Sequence, residues 1–462
     1  MANLDFSNTA LSPELIENLV SLGYQQMTPI QAQSLPAIIE GKDVIAQGKT
    51  GSGKTAAFGL GLLHHLNVKR FRVQAMVLCP TRELADQVAK EIRKLARSIH
   101  NIKVLTLCGG TPTGPQIGSL EHGAHIIVGT PGRIEDHLRK GRLNLEELKT
   151  LVLDEADRML EMGFQDALEL IFSLCPTQRQ NLLFSATFPK QIKPITEHIM
   201  KDPLMVKVES KHDHTTITQY FYQVDNEEDR IAAVQKLLMV NQPESAVIFC
   251  NTKIETQALA TALKDFGFSC AALNGDLEQR DRDQTLICFA NKSVHVLVAT
   301  DVAARGLDVD NLDMVINYQL AHDPEIHVHR IGRTGRAGDK GMACTLMSHK
   351  EAHKAIKLEE YLDISIETED LSELVVANSK IKKAKMVTIH IDGGKKQKLR
   401  PGDILGALTG NKAIRGEQIG KIQISAIAAF VAVEREVADL AVKTIMNGKL
   451  KGKKFRARKL IL

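Results

Sequence analysis

The sequence predicts an α/β fold class, with two tandem domains built on parallel sheets and a smaller α+β domain at the C-terminal end. Short apolar runs alternate with amphipathic stretches through most of the chain, which is typical of parallel sheets covered by helices on both faces. A polar segment interrupts this alternation once, and a strongly basic block replaces it near residue 380. The length of 462 residues agrees with about three domains.

The first domain is predicted at residues 1–207 and the second at 217–366, with a polar linker at 208–216. Apolar runs predict strands of the first domain at 44–47, 75–79, 126–128, 150–153 and 181–184, and an amphipathic stretch predicts a helix at 83–96. Strands of the second domain are predicted at 246–250, 269–273, 295–299, 314–318 and 341–347. No repeat can be aligned between the two halves.

A second linker is predicted at 367–385, followed by a third domain at 386–462 with the element order βαββαβ. Its strands are predicted at 386–391, 421–425, 428–433 and 453–462, and its helices at 401–408 and 435–446. From Lys380 onward the chain has 20 of the 59 Lys and Arg residues but only 6 of the 55 Asp and Glu residues. This asymmetry indicates a unit that binds a polyanion, and the regular pattern argues against a disordered tail.

The cysteines and the hydropathy point to an intracellular protein. Seven cysteines are scattered without a C-x-x-C spacing, and the sixteen histidines show no spacing typical of metal ligands. No apolar run approaches the length of a membrane span, and the N-terminus lacks the pattern of an export signal. We therefore expect reduced thiols, a cytoplasmic location and no membrane partner.

A phosphate-binding loop follows the first predicted strand. The pattern G-x-x-x-x-G-K-[ST] is formed by Gly48, Lys49, Thr50, Gly51, Ser52, Gly53, Lys54 and Thr55. Its glycines allow backbone N–H groups to face phosphate oxygens. Lys54 can reach the β- and γ-phosphates of ATP, and the Thr55 hydroxyl can bind Mg²⁺.

Two acidic residues end the predicted strand at 150–153. Carboxylates at the C-terminal end of a parallel strand face the ligand crevice. Asp154 is predicted to hold Mg²⁺, and Glu155 to polarise the attacking water. Alone, the pair would more often form a helix N-cap, but a phosphate loop about a hundred residues upstream favours the catalytic interpretation.

Asp154-Glu155-Ala156-Asp157 spells DEAD, and the chain resembles the DEAD-box RNA helicases over roughly residues 6–350. The resemblance implies two RecA-like domains, with Gln31 reading the adenine and Phe6 supporting its ring. It also implies residues that couple ATP binding to RNA binding, namely Asp157, Ser185, Thr187 and His329. RNA contacts of the first domain would come from Pro80, Thr81, Arg82, Gly110, Thr130 and Arg133.

In the second domain, the resemblance implies RNA contacts from Asn251, Gln279, Arg282, Thr300 and Arg305, and a ribose contact from Asp308. Arg333 and Arg336 match the arginine fingers of the family, although a basic surface helix or arginines paired with local acids would explain them as well. The family usually has His-Gly-Asp where this chain has Asn274-Gly275-Asp276, which is a minor departure.

The implied activity is RNA-stimulated hydrolysis of ATP, coupled through domain closure to local unwinding of short RNA duplexes. An ATP-gated RNA clamp, a general RNA chaperone and a DNA helicase of the same superfamily remain alternatives. Intact Lys54, Glu155, Arg333 and Arg336 favour catalysis over a clamp.

The third domain resembles an RNA-recognition motif that has lost most of its aromatic residues. Only Phe430 remains on the third strand of this domain and His390 on its first, so the platform on which bases would stack is mostly missing. Either the sheet does not bind RNA in the usual way, or basic loops do so instead. The candidate loop residues are Lys395, Lys396, Lys398, Arg400, Lys453 and Lys454.

The combination of this domain with the helicase core resembles the bacterial DbpA-type helicases. That resemblance implies 23S rRNA and precursors of the large ribosomal subunit as partners. A monomer is expected.

Overall fold

A computed structural model describes residues 4–48, 51–188, 192–208, 217–304, 312–335, 341–376, 380–410 and 412–462. The chain divides into two compact units, Met1–His212 and Asp213–Leu462. Of the predicted linker at 208–216, all but Val208 lies outside the described residues.

The first unit contains a seven-stranded parallel sheet with the order β3-β4-β2-β5-β6-β1-β7. Its strands are β1 (Val44–Gln47), β2 (Ala75–Leu78), β3 (Val104–Leu107), β4 (Ile126–Gly129), β5 (Thr150–Asp154), β6 (Gln180–Ser185) and β7 (Leu204–Lys207). Its helices are α1 (Pro13–Ser21), α2 (Pro29–Ile39), α3 (Lys54–His65), α4 (Arg82–Leu95), α5 (Thr113–Glu121), α6 (Pro131–Arg139), α7 (Ala156–Glu161), α8 (Gln165–Leu174) and α9 (Ile192–Ile199).

Both faces of this sheet are buried, as its continuous apolar strands require. Ala46 of β1 packs into the core on one face, and the adjacent Ile45 packs into the core on the other. The helices cover these faces through apolar residues spaced three and four apart. In α4, for example, Ala85, Val88 and Ile92 are buried, and the Thr81 hydroxyl caps the helix by accepting from Leu84 N.

The second unit contains another seven-stranded parallel sheet, with the order β10-β11-β9-β12-β13-β8-β14. Its strands are β8 (Ile217–Gln223), β9 (Ala246–Cys250), β10 (Cys270–Leu273), β11 (Val296–Thr300), β12 (Met314–Asn317), β13 (Gly341–Met347) and β14 (Thr368–Glu369). Its helices are α10 (Glu227–Asn241), α11 (Lys253–Phe266), α12 (Gln279–Ala290), α13 (Asp301–Ala304), α14 (Pro324–Ile331) and α15 (Ala352–Leu362).

The second unit also contains a four-stranded antiparallel sheet, with the order β16-β17-β15-β18. Its strands are β15 (Met386–Ile391), β16 (Ile419–Ile424), β17 (Ala429–Glu434) and β18 (Ala457–Lys459), and its helices are α16 (Pro401–Thr409) and α17 (Ala438–Asn447). One face packs on these helices through alternate residues of β15, namely Val387, Ile389 and Ile391.

The predicted fold class is confirmed, with differences in particular elements. The strand predicted at 453–462 is wrong in length, because a turn with positive φ at Lys451 and Gly452 precedes it and only Ala457–Lys459 pairs. The predicted linker at 367–385 contains β14, which pairs with β8. The boundary between the second and third domains stays a prediction, since both lie in one compact unit. No described helix is both long and apolar enough to cross a membrane.

Candidate nucleotide and RNA sites

The predicted phosphate loop connects β1 to α3. Gly53 has a φ of 91°, in the left-handed region, and a Cβ added there would lie 2.5 Å from the Gln31 side chain. Glycine is therefore required on both conformational and steric grounds. Helix α3 begins at Lys54, so its positive end faces the loop. Lys49 and Thr50 lie outside the described residues.

Two side chains, those of Lys54 and Gln31, form hydrogen bonds with the backbone of the loop. The buried Lys54 ammonium donates a hydrogen bond to the Gly48 carbonyl at 2.6 Å. The Gln31 amide donates to the Gly53 carbonyl at 3.0 Å and accepts from Thr28 N at 2.9 Å. The predicted adenine-reading residue thus contacts the loop directly. Phe6 is buried and packs edge-on against Tyr24, with 6.4 Å between ring centroids.

The loop and the end of β5 have the chemistry that a nucleotide and Mg²⁺ require. The buried Ser52 hydroxyl finds no hydrogen-bond partner among the described residues, so it has capacity for a phosphate oxygen. Asp154 is 3% exposed. Burial raises its pKa to about 7 against the attraction of Lys54, and Glu155 adds to the shift. A cation would relieve this burial penalty, and the oxygens of Asp154 and Thr55 are of the type that Mg²⁺ prefers.

Glu155 has an unusual backbone conformation. Its φ of 54° and ψ of 51° place it in the left-handed region, where a residue with a Cβ is strained. Such strain costs roughly 1–3 kcal/mol and persists only where the surrounding structure enforces it. The residue joins β5 to α7, so the strain is located at the end of a buried strand. This backbone conformation sets the direction in which the Glu155 side chain extends from the end of β5.

The predicted coupling residues of the first unit connect neighbouring strand ends. Asp157 accepts hydrogen bonds from the Thr187 backbone N–H at 3.0 Å and from its hydroxyl at 2.8 Å. Burial acts to raise the pKa of Asp157, but these hydrogen bonds keep it below its usual value. Ser185 is buried, and its carbonyl accepts from Gly48 N at 3.0 Å. The end of β6 therefore contacts the phosphate loop, and the residues just after it contact the acidic motif.

The predicted RNA contacts of the first unit lie just after the C-terminal ends of three neighbouring strands of its sheet. Pro80, Thr81 and Arg82 follow β2, Gly110 follows β3, and Thr130 and Arg133 follow β4. The Gly109 N–H donates to the Thr130 hydroxyl at 3.4 Å, and the Arg133 guanidinium donates to the Thr111 carbonyl at 3.2 Å. Segments well separated in sequence thus form one surface of hydroxyls, cations and helix N-termini, which suits phosphate contacts.

The predicted RNA contacts of the second unit occupy the corresponding strand ends. Asn251 follows β9, Thr300 ends β11, and Gln279 and Arg282 lie in the first turn of α12. The Arg282 guanidinium donates to the Ala303 carbonyl at 2.7 Å, which joins α12 to the segment after β11.

The predicted arginine motif is described only in part. His329 lies in α14, and Arg333 follows it, with its carbonyl accepting from Leu312 N at 3.1 Å. Arg305, Asp308 and Arg336 lie outside the described residues.

Arg330 has a structural role that the sequence did not reveal. It is 1% exposed and forms two hydrogen bonds with the Asp301 carboxylate, at 2.6 and 2.8 Å. It also donates to the Asn251 side chain at 2.8 Å and to the Gln319 carbonyl at 3.0 Å. Arg330 therefore joins α14 to two predicted RNA-contacting strand ends. Its place among three arginines was the only signal, and nothing in the sequence identified Asp301 as its partner.

The two basic loops of the third sheet lie together. Lys395, Lys396, Lys398 and Arg400 are all exposed, as are Lys453 and Lys454. The Lys451 ammonium donates to the Lys398 carbonyl at 2.9 Å, which joins one loop to the other. Residues about 50 positions apart thus form one cationic surface, of the kind that attracts a phosphate backbone.

The sheet face on which bases would stack is covered within the second unit. His390 and Phe430 lie on this face with 5.0 Å between ring centroids, yet both are buried. Thr388 on the same face is 0% exposed, and its hydroxyl bonds with the Ser293 hydroxyl at 2.6 Å and the Asn291 amide at 3.1 Å. The region just after α12 therefore occupies the surface that the sequence left open as an RNA platform.

Comparison with known proteins gives matches over all three sheets. The family model of the DEAD/DEAH box helicases matches residues 28–195, that of the helicase conserved C-terminal domain matches 229–338, and that of the DbpA RNA binding domain matches 388–459. The chain is 53% identical to the ATP-dependent RNA helicase DbpA of Escherichia coli, over 97% of this chain and 98% of that protein. It is 36% identical to the DbpA of Bacillus subtilis, over 98% and 99%.

Among solved structures, Dbp5 of S. cerevisiae bound to RNA and ADP BeF3 matches with a TM-score of 0.73 and 31% identity. The match covers 80% of this chain and 96% of that one.

Proposed function

Because the chain belongs to the DEAD-box ATP-dependent RNA helicases, we propose that it couples ATP hydrolysis to local unwinding of short duplexes in 23S rRNA during assembly of the large ribosomal subunit. One observation carries the proposal. The last residue of β6, Ser185, contacts the phosphate loop at Gly48, and Thr187, two positions further on, contacts Asp157 of the acidic motif. A change in the nucleotide is thereby linked to a segment outside the nucleotide site.

In the proposed reaction, the phosphate loop holds ATP while Lys54 exchanges its bond to the Gly48 carbonyl for one to the phosphates. Thr55 and Asp154 would hold Mg²⁺, which supplies charge compensation for the phosphates when bound. The strained backbone of Glu155 positions its carboxylate to orient and polarise water. Phe6 and Gln31 would contact the adenine, and Asp308 the ribose.

Coupling to RNA depends on both α/β domains. RNA held by the strand-end residues of both domains would favour closure, which brings Arg333 and Arg336 to the transferring phosphoryl group. His329 would take part in this coupling. A strand bent across two domains cannot stay in an A-form duplex, so local base pairs separate.

Choice of the RNA is proposed to come from the basic loops rather than from the covered sheet face. Lys395, Lys396, Lys398 and Arg400 would contact phosphates together with the second loop, which contains Lys453 and Lys454. The target proposed is a hairpin of 23S rRNA. A monomeric, cytoplasmic protein is proposed as well.

The decisive experiment measures ATP hydrolysis with 23S rRNA fragments, unrelated RNA and single-stranded DNA. The full chain is compared with Glu155→Gln, for which kcat should fall at least about a hundredfold because the attacking water loses its base. Glu17→Gln, on the exposed side of α1, is the matched control and should be unchanged. Hydrolysis that no RNA stimulates, or that survives Glu155→Gln, would contradict the proposal.

The same nucleic acids, tested for ATPase stimulation and for displacement of a labelled strand, separate the alternatives. A clamp would bind RNA under ATP without displacing a labelled strand, a general chaperone would respond equally to all RNAs, and a DNA helicase would respond equally to DNA. Replacing Lys395, Lys396 and Lys398 by alanine should raise the half-saturating concentration of the rRNA fragment about tenfold. The control replaces three exposed lysines outside both loops, namely Lys412, Lys421 and Lys443.

A further inference from the structure

We propose that Gln116 and His137 are positioning residues for RNA binding, holding the loop after β3 against α6 so that two RNA-contacting segments form one surface. The inference rests on the proposed function, since it concerns how RNA is bound. Neither side chain faces the nucleotide site, and neither belongs to the motifs that the sequence singled out. His137 is 0% exposed and Gln116 is buried, so both act from inside the domain.

The pair forms the centre of a continuous hydrogen-bond network. The Gln116 amide donates to the Cys108 carbonyl at 3.0 Å and to the Thr111 hydroxyl at 2.6 Å. The Gln116 side-chain oxygen lies 3.1 Å from His137 Nε2. Because Cys108 directly follows β3 and Thr111 follows the glycine pair, one side chain holds both ends of the Gly109-Gly110 loop.

The hydrogen bonds of the Gln116 amide determine which nitrogen of His137 carries a proton. Both hydrogen bonds to the loop use the Gln116 nitrogen as donor, so its oxygen can only accept, and His137 Nε2 must carry the hydrogen. The buried Nδ1 atom has no hydrogen-bond partner in the part of the chain that the structure describes. A second proton there would be unsatisfied, so the network requires a neutral imidazole in one tautomer.

The network ends on the predicted RNA contacts. The Thr111 carbonyl accepts from Arg133 at 3.2 Å, and the Gly109 N–H donates to the Thr130 hydroxyl at 3.4 Å. The loop after β3 is thus connected twice to the start of α6 at the surface, through Thr130 and Arg133, and once from below to the last turn of α6, through Gln116 and His137. Without the lower connection, the surface bonds would have to order a glycine loop alone, which costs conformational entropy on RNA binding.

A second buried histidine of the same domain supplies a matched control. His125 is also 0% exposed, and its ring bonds to Lys103 N at 3.1 Å and to the Val68 carbonyl at 3.0 Å. It precedes β4 and so lies at the N-terminal end of this strand, whereas the predicted RNA contacts follow its C-terminal end. Loss of either ring should cost comparable stability, so a purely structural role predicts equal effects on RNA binding.

The test compares His137→Leu with His125→Leu in the full chain, measuring the concentration of rRNA fragment that half-saturates ATPase stimulation. His137→Leu should raise this concentration about five- to tenfold, several times more than any change in the KM for ATP. His125→Leu should leave it within about twofold at a similar loss of Tm. His137→Gln, whose amide can donate near the former Nε2 position, should recover most of the affinity.

Equal shifts in the two histidine variants, or no recovery by His137→Gln, would overturn the inference. If His137→Leu does not fold, Gln116→Met tests the same network, because it keeps the length of the side chain and removes its hydrogen bonds. It should raise the half-saturating RNA concentration as His137→Leu is expected to, and an unchanged value would refute the role. A wild-type protein that RNA does not stimulate would instead contradict the proposed function.

Discussion

The two parallel sheets have the same strand order when their strands are counted along the chain, yet the predicted phosphate loop and acidic motif both lie on the first sheet. The first runs β3-β4-β2-β5-β6-β1-β7 and the second β10-β11-β9-β12-β13-β8-β14, so each strand of one has a counterpart seven strands later. The repeat that could not be aligned in the sequence is therefore present in the topology.

The counterparts differ at the two strand ends where ATP chemistry is predicted. Strand β1 leads into the glycine loop, whereas β8 leads through Asp225 to Asn226, which caps α10. Strand β5 ends at Asp154 and Glu155, whereas β12 is followed by the uncharged Tyr318 and Gln319.

The counterparts agree where RNA contacts are predicted. Thr81 after β2 and Thr252 after β9 both cap the next helix with the same extended conformation. Topology thus supplies a ligand-facing edge in both sheets, and a few residues at two strand ends decide the chemistry.

The largest expected effect tests whether the second sheet takes part in the chemistry at all. Arg333→Ala should lower the RNA-stimulated kcat about a thousandfold, because an arginine finger stabilises charge on the transferring phosphoryl group. The KM for ATP should change little. Steady-state ATPase assays check this, with Lys357→Ala on α15 as a control in the same unit. A variant that keeps most of its kcat would confine the chemistry to the first sheet.

The next effect concerns the buried guanidinium of Arg330 on α14, which is paired with the Asp301 carboxylate. Asp301→Ala leaves the Arg330 guanidinium without its carboxylate, and we expect a loss of about 3 kcal/mol in the free energy of unfolding. Urea denaturation measures it. The control is Asp276→Ala, which removes an ion pair with Lys253 whose side chains are both more than half exposed, and should cost less than about 1 kcal/mol. Equal losses would contradict the buried-network interpretation.

The last effect has the opposite sign, because the buried carboxyl of Asp154 carries the cost of burial whenever it is ionised. Asp154→Asn should stabilise the nucleotide-free, Mg²⁺-free protein at pH 8, by about 4 kcal/mol at most. The folded-state pKa of Asp154 is raised to about 7, so wild-type stability falls as pH rises from about 4 to 7, and the asparagine variant escapes that loss.

At about pH 3 and below the difference should vanish, since the carboxyl is then largely neutral in both the folded and the unfolded state. Hydrogen exchange of the β5 amides measures the stability locally, and Asp166→Asn, exposed on α8, is the control. A gain that does not depend on pH would contradict the assigned cause.

In the two parallel sheets, the sequence predicted the strands that are continuous apolar runs, including the edge strand β10, and missed β3, β7, β8 and β14. Strands such as β2 and β9 are continuous apolar runs, so hydropathy alone locates them. Strand β7 is mostly exposed and β3 half-buried, so neither gives a strong apolar signal. The last predicted strand began too early, because residues 453–456 precede the paired segment Ala457–Lys459.

The site was predictable where its residues are contiguous and not where they meet only through folding. The phosphate loop and the acidic motif are short patterns whose spacing encodes their chemistry. The partners of Arg330 and His137 lie 29 and 21 positions away, on other elements. No local pattern marks such pairs, because the topology of the sheet brings them together.

The covered face around Thr388 has a consequence for exchanging modules between helicases. An RNA-recognition domain from another protein usually presents aromatic rings on this face. Grafted after residue 385, those rings would meet the region of Asn291 and Ser293, whose polar groups now pair with a threonine hydroxyl. A functional chimera would need matched substitutions on both surfaces. The terminal domain and the region just after α12 would therefore have to be exchanged together.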